Sequence, residues 1–180
     1  ELSKIVFTCT GSESVDLSLR IARAVTGGTG FIVTANAYHG NTLAVTQISP
    51  SSTSAEPRSP HVFLVPAPDT YRTPSDDVGP IFAANVRKAI SAMKRKKIRL
   101  AGLVADSIFS SDGIYPGEPG FMAEAIANVR KAGGLFIADE VQPGFARTGE
   151  KMWGFERHGL VPDMVAVGKP MGNGYPIGGV

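Results

Sequence analysis

Near its C-terminal end the sequence reads LFIADEVQPG, Leu135 to Gly144, and an apolar run passes directly into the carboxylates of Asp139 and Glu140. Such a run suits a buried parallel strand, and buried strands ordinarily end in turn residues. Two acids at the mouth of a core are either a solvated strand end or the partners of something positive. Further on, VAVGKPMGNG (Val165 to Gly174) sets Lys169 directly after another apolar run and before a glycine-rich loop. A lysine in that position is expected to be partly desolvated, which lowers its pKa from the ordinary value of about 10.4 and raises the fraction of free amine. A free amine condenses with aldehydes; an exposed loop lysine is the plainer reading.

Two earlier stretches carry complementary chemistry. In TCTGSES, Thr8 to Ser14, a strand ends, Gly11 turns the chain and a helix begins at about Ser12. The free amides of that first turn, the helix dipole and the Ser12 hydroxyl suit an anion such as phosphate, with Gly11 admitting close backbone approach. Ser12 is equally an ordinary helix cap. The stretch is neither a P-loop nor GxGxxG, and the TGGTG loop at Thr26 to Gly30 lacks the context for either. NAYHG, Asn36 to Gly40, follows a strand directly; Tyr38 could lie flat on a planar ring and His39 could hydrogen-bond nearby, although a packed aromatic and a structural histidine are commoner. His61 and His158 have no metal-type spacing to His39 or Cys9, so no metal is assigned.

The elements that must position these residues alternate along the chain. Strands are expected at Ile5–Thr8, Gly30–Thr34, His61–Val65, Gly102–Ala105, Leu135–Ala138 and Met164–Val167, and helices at Ser12–Val25, Asp76–Met93, Gly120–Lys131 and Trp153–His158. Alternation of this kind with Val/Ile/Leu strands predicts an α/β fold, a mostly parallel sheet covered on both faces in a three-layer αβα arrangement. Ligands in such sheets collect beyond the carboxyl ends of the strands, which is where the acid pair and the lysine fall. An anion site, an aromatic plate, a strand-end acid and a strand-end amine at one edge match the needs of a single ligand, pyridoxal 5′-phosphate: its phosphate, ring, pyridine nitrogen and aldehyde.

The totals exclude other classes. With 43% apolar and 19% charged residues the composition is that of a globular protein, and a net charge of +2 gives no general electrostatic case for nucleic acid. The basic run KRKKIR, Lys94 to Arg99, reads as a solvated helix end whose cations complement the dipole. The single cysteine, Cys9, rules out an internal disulfide and fits a reducing, cytoplasmic compartment. No apolar stretch approaches the roughly 18 residues of a membrane span, and no signal peptide opens the chain. Gly and Pro cluster in loops, SPSSTSAEPRSP (Ser49 to Pro60) among them, without a fixed period, so this is not a repeat protein. Glu1 in place of a methionine, and an apolar segment beginning just at Val180, lead to the expectation of a piece of a longer chain.

With these residues in place, the sequence resembles the class III (ω-type) aminotransferases, of the fold type I architecture of pyridoxal-phosphate enzymes. The resemblance runs from about Thr8 to the end and is strongest in FIADEVQPGFARTG…PDMVAVGKPMGNG, with GSES and AYHG in the family's order. It implies that Asp139 pairs with the pyridine nitrogen and keeps it protonated, a charge-assisted hydrogen bond of about 1.5–3 kcal/mol. It also implies that Gln142 lies near the phenolic oxygen, that Gly11 and Ser12 hold the phosphate, and that Tyr38 stacks on the ring. Lys169 would bind the aldehyde as a Schiff base, be displaced by the substrate amine and then move a proton in a ping-pong cycle with a keto acid or aldehyde. Glu140 is read as a neighbour that supports the turn.

The segment after the fourth strand departs from the family. Many members carry Glu-Pro-x-x-Gly-Glu-Gly-Gly there, whereas this chain reads ADSIFSSDGIYP, with Asp106 at the first Glu and Ser111 at the second. That turns the expectation away from 4-aminobutyrate or ornithine and towards the branch of alanine–glyoxylate-type aminotransferases and of phospho-lyases acting on phosphorylated amino alcohols. The resemblance further implies a homodimer with a shared active site, a partner-subunit threonine on the phosphate and a substrate-binding arginine beyond this stretch. On that basis residues 1–180 are expected to be part of the cofactor-binding large domain, with the small-domain segments absent and little turnover alone. A phospho-lyase, or a non-catalytic phosphate-binding α/β module in which Lys169 is a surface charge, remains the alternative.

Overall fold

The computed structural model of the chain describes residues 3–52 and 57–180. Part of the Ser49–Pro60 loop, residues 53–56, lies outside the described residues. The chain runs β1 (Phe7–Thr8), α1 (Gly11–Thr26), β2 (Gly30–Thr34), α2 (Leu43–Thr46), β3 (Val62–Val65), α3 (Ser75–Arg95), β4 (Leu100–Ala105), α4 (Ala123–Lys131), β5 (Leu135–Asp139), α5 (Gly154–Arg157), β6 (Met164–Ala166), a 3₁₀ turn (Lys169–Met171) and β7 (Gly178–Gly179). Five strands form a wholly parallel sheet in the order β3-β2-β4-β5-β6. β1 and β7 pair antiparallel, and a bridge between Val167 and Gly179 ties that pair to the β6 edge.

Side-chain alternation assigns the two faces. Phe31, Val33 and Ile137 point to one face, where Val15, Leu19 and Ala22 of α1 meet them. Ile32, Phe136 and Ala138 point to the other, under Phe82, Val86 and Met93 of α3 and Ile126 and Val129 of α4. The result is the expected αβα sandwich; β4 is apolar throughout, and β2 and β5 are apolar up to their last residues, Thr34 and Asp139, because neither face meets water. The carboxyl ends of β2, β4, β5 and β6 therefore open along one edge, while the αβ returns lie at the other.

Most boundaries fall within a residue or three of expectation. α4 begins at Ala123 rather than Gly120, because Gly120 adopts φ 87° and breaks the first turn. α1 is capped by Thr10, whose side chain accepts from the Glu13 amide at 3.1 Å, and ends at Gly27 in the left-handed region with φ 65°. α3 closes on Lys94 and Arg95 as the basic run suggested. Two elements carry no usable pattern: α2 is a single turn begun by Thr42, and β7 is two glycines.

Phe82 lies between α3 and the segment after β4, with ring centroids 5.7 Å from Phe109 and 6.2 Å from Phe121, both edge-on. Phe82→Ala should cost about 3–5 kcal/mol through the cavity it leaves. Urea denaturation of the full-length protein measures this, and a midpoint unchanged from wild type would show that the cluster is not part of the stabilising core.

Candidate active site

Neighbouring strands bring the edge residues together. Asp139 is in register with Ala166 across β5 and β6, so Lys169, the residue three beyond Ala166, emerges beside it. The adjoining amide of Glu140 donates to Ala166 O at 2.8 Å and locks the two strand ends. From β2 the chain passes through Asn36–Gly40 and crosses the end of β4. His39 thereby reaches Asp139 from 100 residues away, Nδ1 to Oδ2 at 2.7 Å, with both side chains buried. A carboxylate only accepts, so His39 Nδ1 carries the proton in this pair. Asp139 Oδ1 accepts from the Val141 amide at 3.1 Å, and the His39 amide donates to Ser49 Oγ at 2.9 Å.

All six residues singled out in the sequence, Gly11, Ser12, Tyr38, Asp139, Gln142 and Lys169, line one cavity of about 190 Å³, together with His39, Gly40, Asp106 and Val141. Gly11 and Ser12 are in the first turn of α1, where amides have no intrahelical acceptor. Because Thr10 is the cap, the Ser12 hydroxyl is not consumed by capping; it accepts from the Asn41 amide at 3.2 Å. Glycines close the cradle: a Cβ on Gly40 (φ 137°) would stand 2.5 Å from Ser12 Oγ, and one on Gly168 would stand 3.1 Å from Gly11 Cα. Tyr38 is 42% exposed at the mouth and Gln142 is half-buried. Lys169 begins the 3₁₀ turn and is exposed, not partly desolvated as its place after an apolar run led one to expect. The correction has a simple cause: burial of the β6 segment stops at Gly168, and the turn that Lys169 begins lies beyond the covered part of the sheet.

The two acids of the opening pair divide completely. Asp139 faces the cavity, whereas Glu140 is fully buried on the far side, accepting from the amides of Gly154 (2.7 Å) and Phe155 (3.0 Å) and from Ser107 Oγ (3.3 Å). It thus closes the start of α5 and supports the turn. Burial pushes its pKa from 4.5 up to about 7 despite the two amide bonds. Asp106 is likewise held above the usual carboxylate range, first by burial and also by the charge of Asp139, while the Ser110 hydroxyl opposes the shift. His158, under Ser107, is pushed down by burial; its Nε2 lies 3.1 Å from Ser107 O and its Nδ1 accepts from Gly120 N at 3.3 Å.

Sequence reasoning did not assign Gly40, Asp106 and Val141 to the site, and offered His39 only as a group that could hydrogen-bond near Tyr38. The His39–Asp139 pairing had no local signal, since only the strand order joins positions so far apart. A larger groove of about 680 Å³ runs along the outer edge of β6 and is lined mainly by apolar groups such as Ile5, Val6, Trp153 and Val165. Its charged lining residues are Lys4 and Asp163, and none of the six residues singled out above lines it.

Comparison with known proteins agrees with this geometry. The profile of the family described as Aminotransferase class-III matches residues 1–180. The chain is 39% identical to an alanine–glyoxylate aminotransferase 2 homolog of Arabidopsis thaliana, covering 100% of this chain and 37% of that protein. It is 36% identical to an alanine–glyoxylate aminotransferase 2-like protein of Drosophila melanogaster, covering 99% and 38%. Among solved structures, a phospholyase from Arthrobacter in complex with phosphoethanolamine superposes with a TM-score of 0.92 at 39% identity, covering 99% of this chain and 43% of that one. The chain thus spans about two fifths of the length of the relatives it matches.

Glu140 makes a prediction about stability. Its folded pKa is raised, so the folded state binds the extra proton between about pH 4.5 and 7, and stability falls as pH rises through that window, by about 3 kcal/mol in all. His158 acts with the opposite sign, losing stability as pH falls below its ordinary 6.5. Denaturant titrations of the full-length protein from pH 4.5 to 8 should show the declining arm above pH 5, and Glu140→Gln should flatten it, leaving the part that the raised Asp106 contributes. A Glu140→Gln variant that kept the wild-type slope would contradict the assignment.

Proposed function

The chain is a member of the class-III aminotransferase family, and from that premise we propose that the whole protein is a pyridoxal 5′-phosphate enzyme transferring an amino group from an amine or amino acid to a keto acid or aldehyde. The observation that carries the reading is the single cavity into which the first turn of α1, Tyr38, Asp139 and Lys169 converge. The donor set suits the cofactor: free first-turn amides and a hydroxyl for a phosphate, a buried acceptor for a protonated ring nitrogen, and an amine for an aldehyde. The sheet and its helices belong to the cofactor-binding large domain.

In this reading the Gly11 and Ser12 amides and the Ser12 hydroxyl bind the phosphate at the positive end of α1. Tyr38 offers a ring face, and Gln142 a hydrogen bond to the phenolic oxygen. Asp139, aligned by His39 and the Val141 amide, keeps the ring nitrogen protonated. When bound, the cofactor supplies a ring that accepts the electron pair left on the substrate carbon. Lys169 would hold the aldehyde and, when its Nζ is free, that amine would accept the proton leaving the substrate carbon. Its exposure leaves the amine reachable by substrate from the open side. The protein is a homodimer in this proposal, since the exposed side chains of Tyr71 and Ile114 meet at one surface pocket that a partner could cover. The free, exposed Cys9 suits the reducing cytoplasm, and among the described residues no helix is long and apolar enough to cross a membrane.

A phospho-lyase acting on a phosphorylated amino alcohol is the second reading, favoured by the likeness to the Arthrobacter phospholyase. Incubating the full-length protein with amines and pyruvate or 2-oxoglutarate separates the two. Keto-acid consumption matched by amino-acid formation is expected; release of ammonia and phosphate without it would overturn transamination.

Two further outcomes test the site. Borohydride reduction in the presence of pyridoxal 5′-phosphate, followed by peptide mapping, should label Lys169, whereas label elsewhere in the folded dimer would leave a non-catalytic phosphate-binding module. Asp139→Asn should retain cofactor yet lower kcat by roughly 10²–10³, because a neutral amide cannot hold the ring nitrogen protonated. Normal turnover in that variant would remove Asp139 from the mechanism.

A further inference from the structure

The segment from Asp106 to Tyr115, which follows β4, is bonded mostly to itself. Asp106 accepts from the amides of Ile108 (2.9 Å) and Ser110 (3.0 Å) and from the Ser110 hydroxyl. Phe109, at φ 49°, is buried against Phe82 and Phe121, and the amides of Ile114 and Tyr115 return to Phe109 O (3.1 Å) and Ile108 O (2.8 Å). Ile114 itself sits at φ 62°, a backbone state that a β-branched residue keeps only where its surroundings over-determine it. This is a stiff loop, and what it presents to the neighbouring strand is Asp112.

Asp112 makes no side-chain bond within its own loop among the described residues. Its Oδ2 accepts from Thr34 Oγ1 at 2.6 Å and its Oδ1 from the Asn36 amide at 3.0 Å. Thr34 is the last residue of β2, and Asn36 opens the short segment that carries Tyr38 and His39. Asp106, which lines the cavity, makes its side-chain bonds locally, accepting from residues two and four positions away. Asp112 instead commits both oxygens to the exit of a different strand. The segment is also tied by the Ala35 amide to Val65 O (2.9 Å), by Ser51 to Ala37 O, by Ser49 to the His39 amide and Gly40 O, and by His39 to Asp139, but between Thr34 and Asn36 the side-chain partner is Asp112.

We propose that Asp112 is a positioning residue of the cofactor site, clamping the exit of β2 and so setting the Tyr38 ring and the His39–Asp139 pair against the cavity. What Tyr38 and His39 do there rests on the pyridoxal-phosphate reading above; the clamp itself is a property of the chain. A displacement of about 1 Å in such a segment is enough to spoil alignment at a reacting centre, so Asp112, which does not line the cavity, acts on the site through the β2 exit.

The test uses the full-length protein with Asp112→Ala, Asp112→Asn and Thr34→Val, and reads three quantities. These are hydrogen exchange across residues 35–40 without cofactor, the dissociation constant for pyridoxal 5′-phosphate, and the induced circular dichroism of the bound cofactor. Asp112→Ala should speed exchange in that segment by about tenfold, weaken cofactor binding by a similar factor and alter the dichroism, with β4 and β5 exchanging as in wild type. Asp112→Asn should restore all three, since a carboxamide can accept from the Asn36 amide and turn its own N–H to Thr34 Oγ1. Thr34→Val should give a smaller effect and add nothing to Asp112→Ala. Unchanged exchange in Asp112→Ala overturns the proposal, as does faster exchange with unaltered cofactor affinity, or a general loosening that Asp112→Asn fails to restore. If wild type binds no cofactor, the enzymatic reading fails separately and the exchange data still decide the clamp.

Discussion

Asp139 ends a strand at 4% exposure, and a carboxylate taken that far out of water is costly unless it is paired and hydrogen-bonded. The fold meets this demand with two donors, the His39 ring and the Val141 amide. The carboxylate so held faces the cavity that Lys169 also lines. In the proposed function a protonated heterocycle would join that pairing, and the pairing would in turn stabilise the proton on the ring. The histidine, the turn after β5 and the sheet order hold that one buried carboxylate at the cavity.

The parallel sheet makes the arrangement possible. Parallel strands deliver all their carboxyl ends to one edge, so residues from four strands can meet although the chain separates them widely. Register does the fine placement. Asp139 opposite Ala166 puts Lys169 one short turn away, and the Glu140 amide bonded to Ala166 O keeps it there. Glu140 also joins the strand end to α5, so the second acid of the pair ties the scaffold together while the first faces the cavity.

How much of this is legible in the sequence depends on how local the cause is. The strands β2 to β6 announce themselves through Val/Ile/Leu runs bounded by Gly and polar residues, and α1 and α3 through apolar spacing. The two glycines of β7 cannot, because their pairing is decided by β1 and Val167 across the fold. Five of the six candidate site residues, Gly11, Ser12, Tyr38, Asp139 and Lys169, could be singled out because they stand just past a strand or at a helix start, whereas Gln142 came from the family resemblance alone. Their partners could not: His39 meets Asp139, and Asp112 meets Thr34, only after the sheet has ordered its strands. Exposure misled in one place. An apolar run before Lys169 suggested a desolvated amine, yet the strand's burial stops at Gly168.

The most direct measurement is the protonation of the ring nitrogen itself. Nuclear magnetic resonance of the full-length protein carrying pyridoxal 5′-phosphate labelled with ¹⁵N at the ring should show a protonated nitrogen across the whole pH range in which the protein stays folded. A nitrogen that titrates there as it does for the cofactor free in water would contradict the pairing with Asp139 and the site built on it.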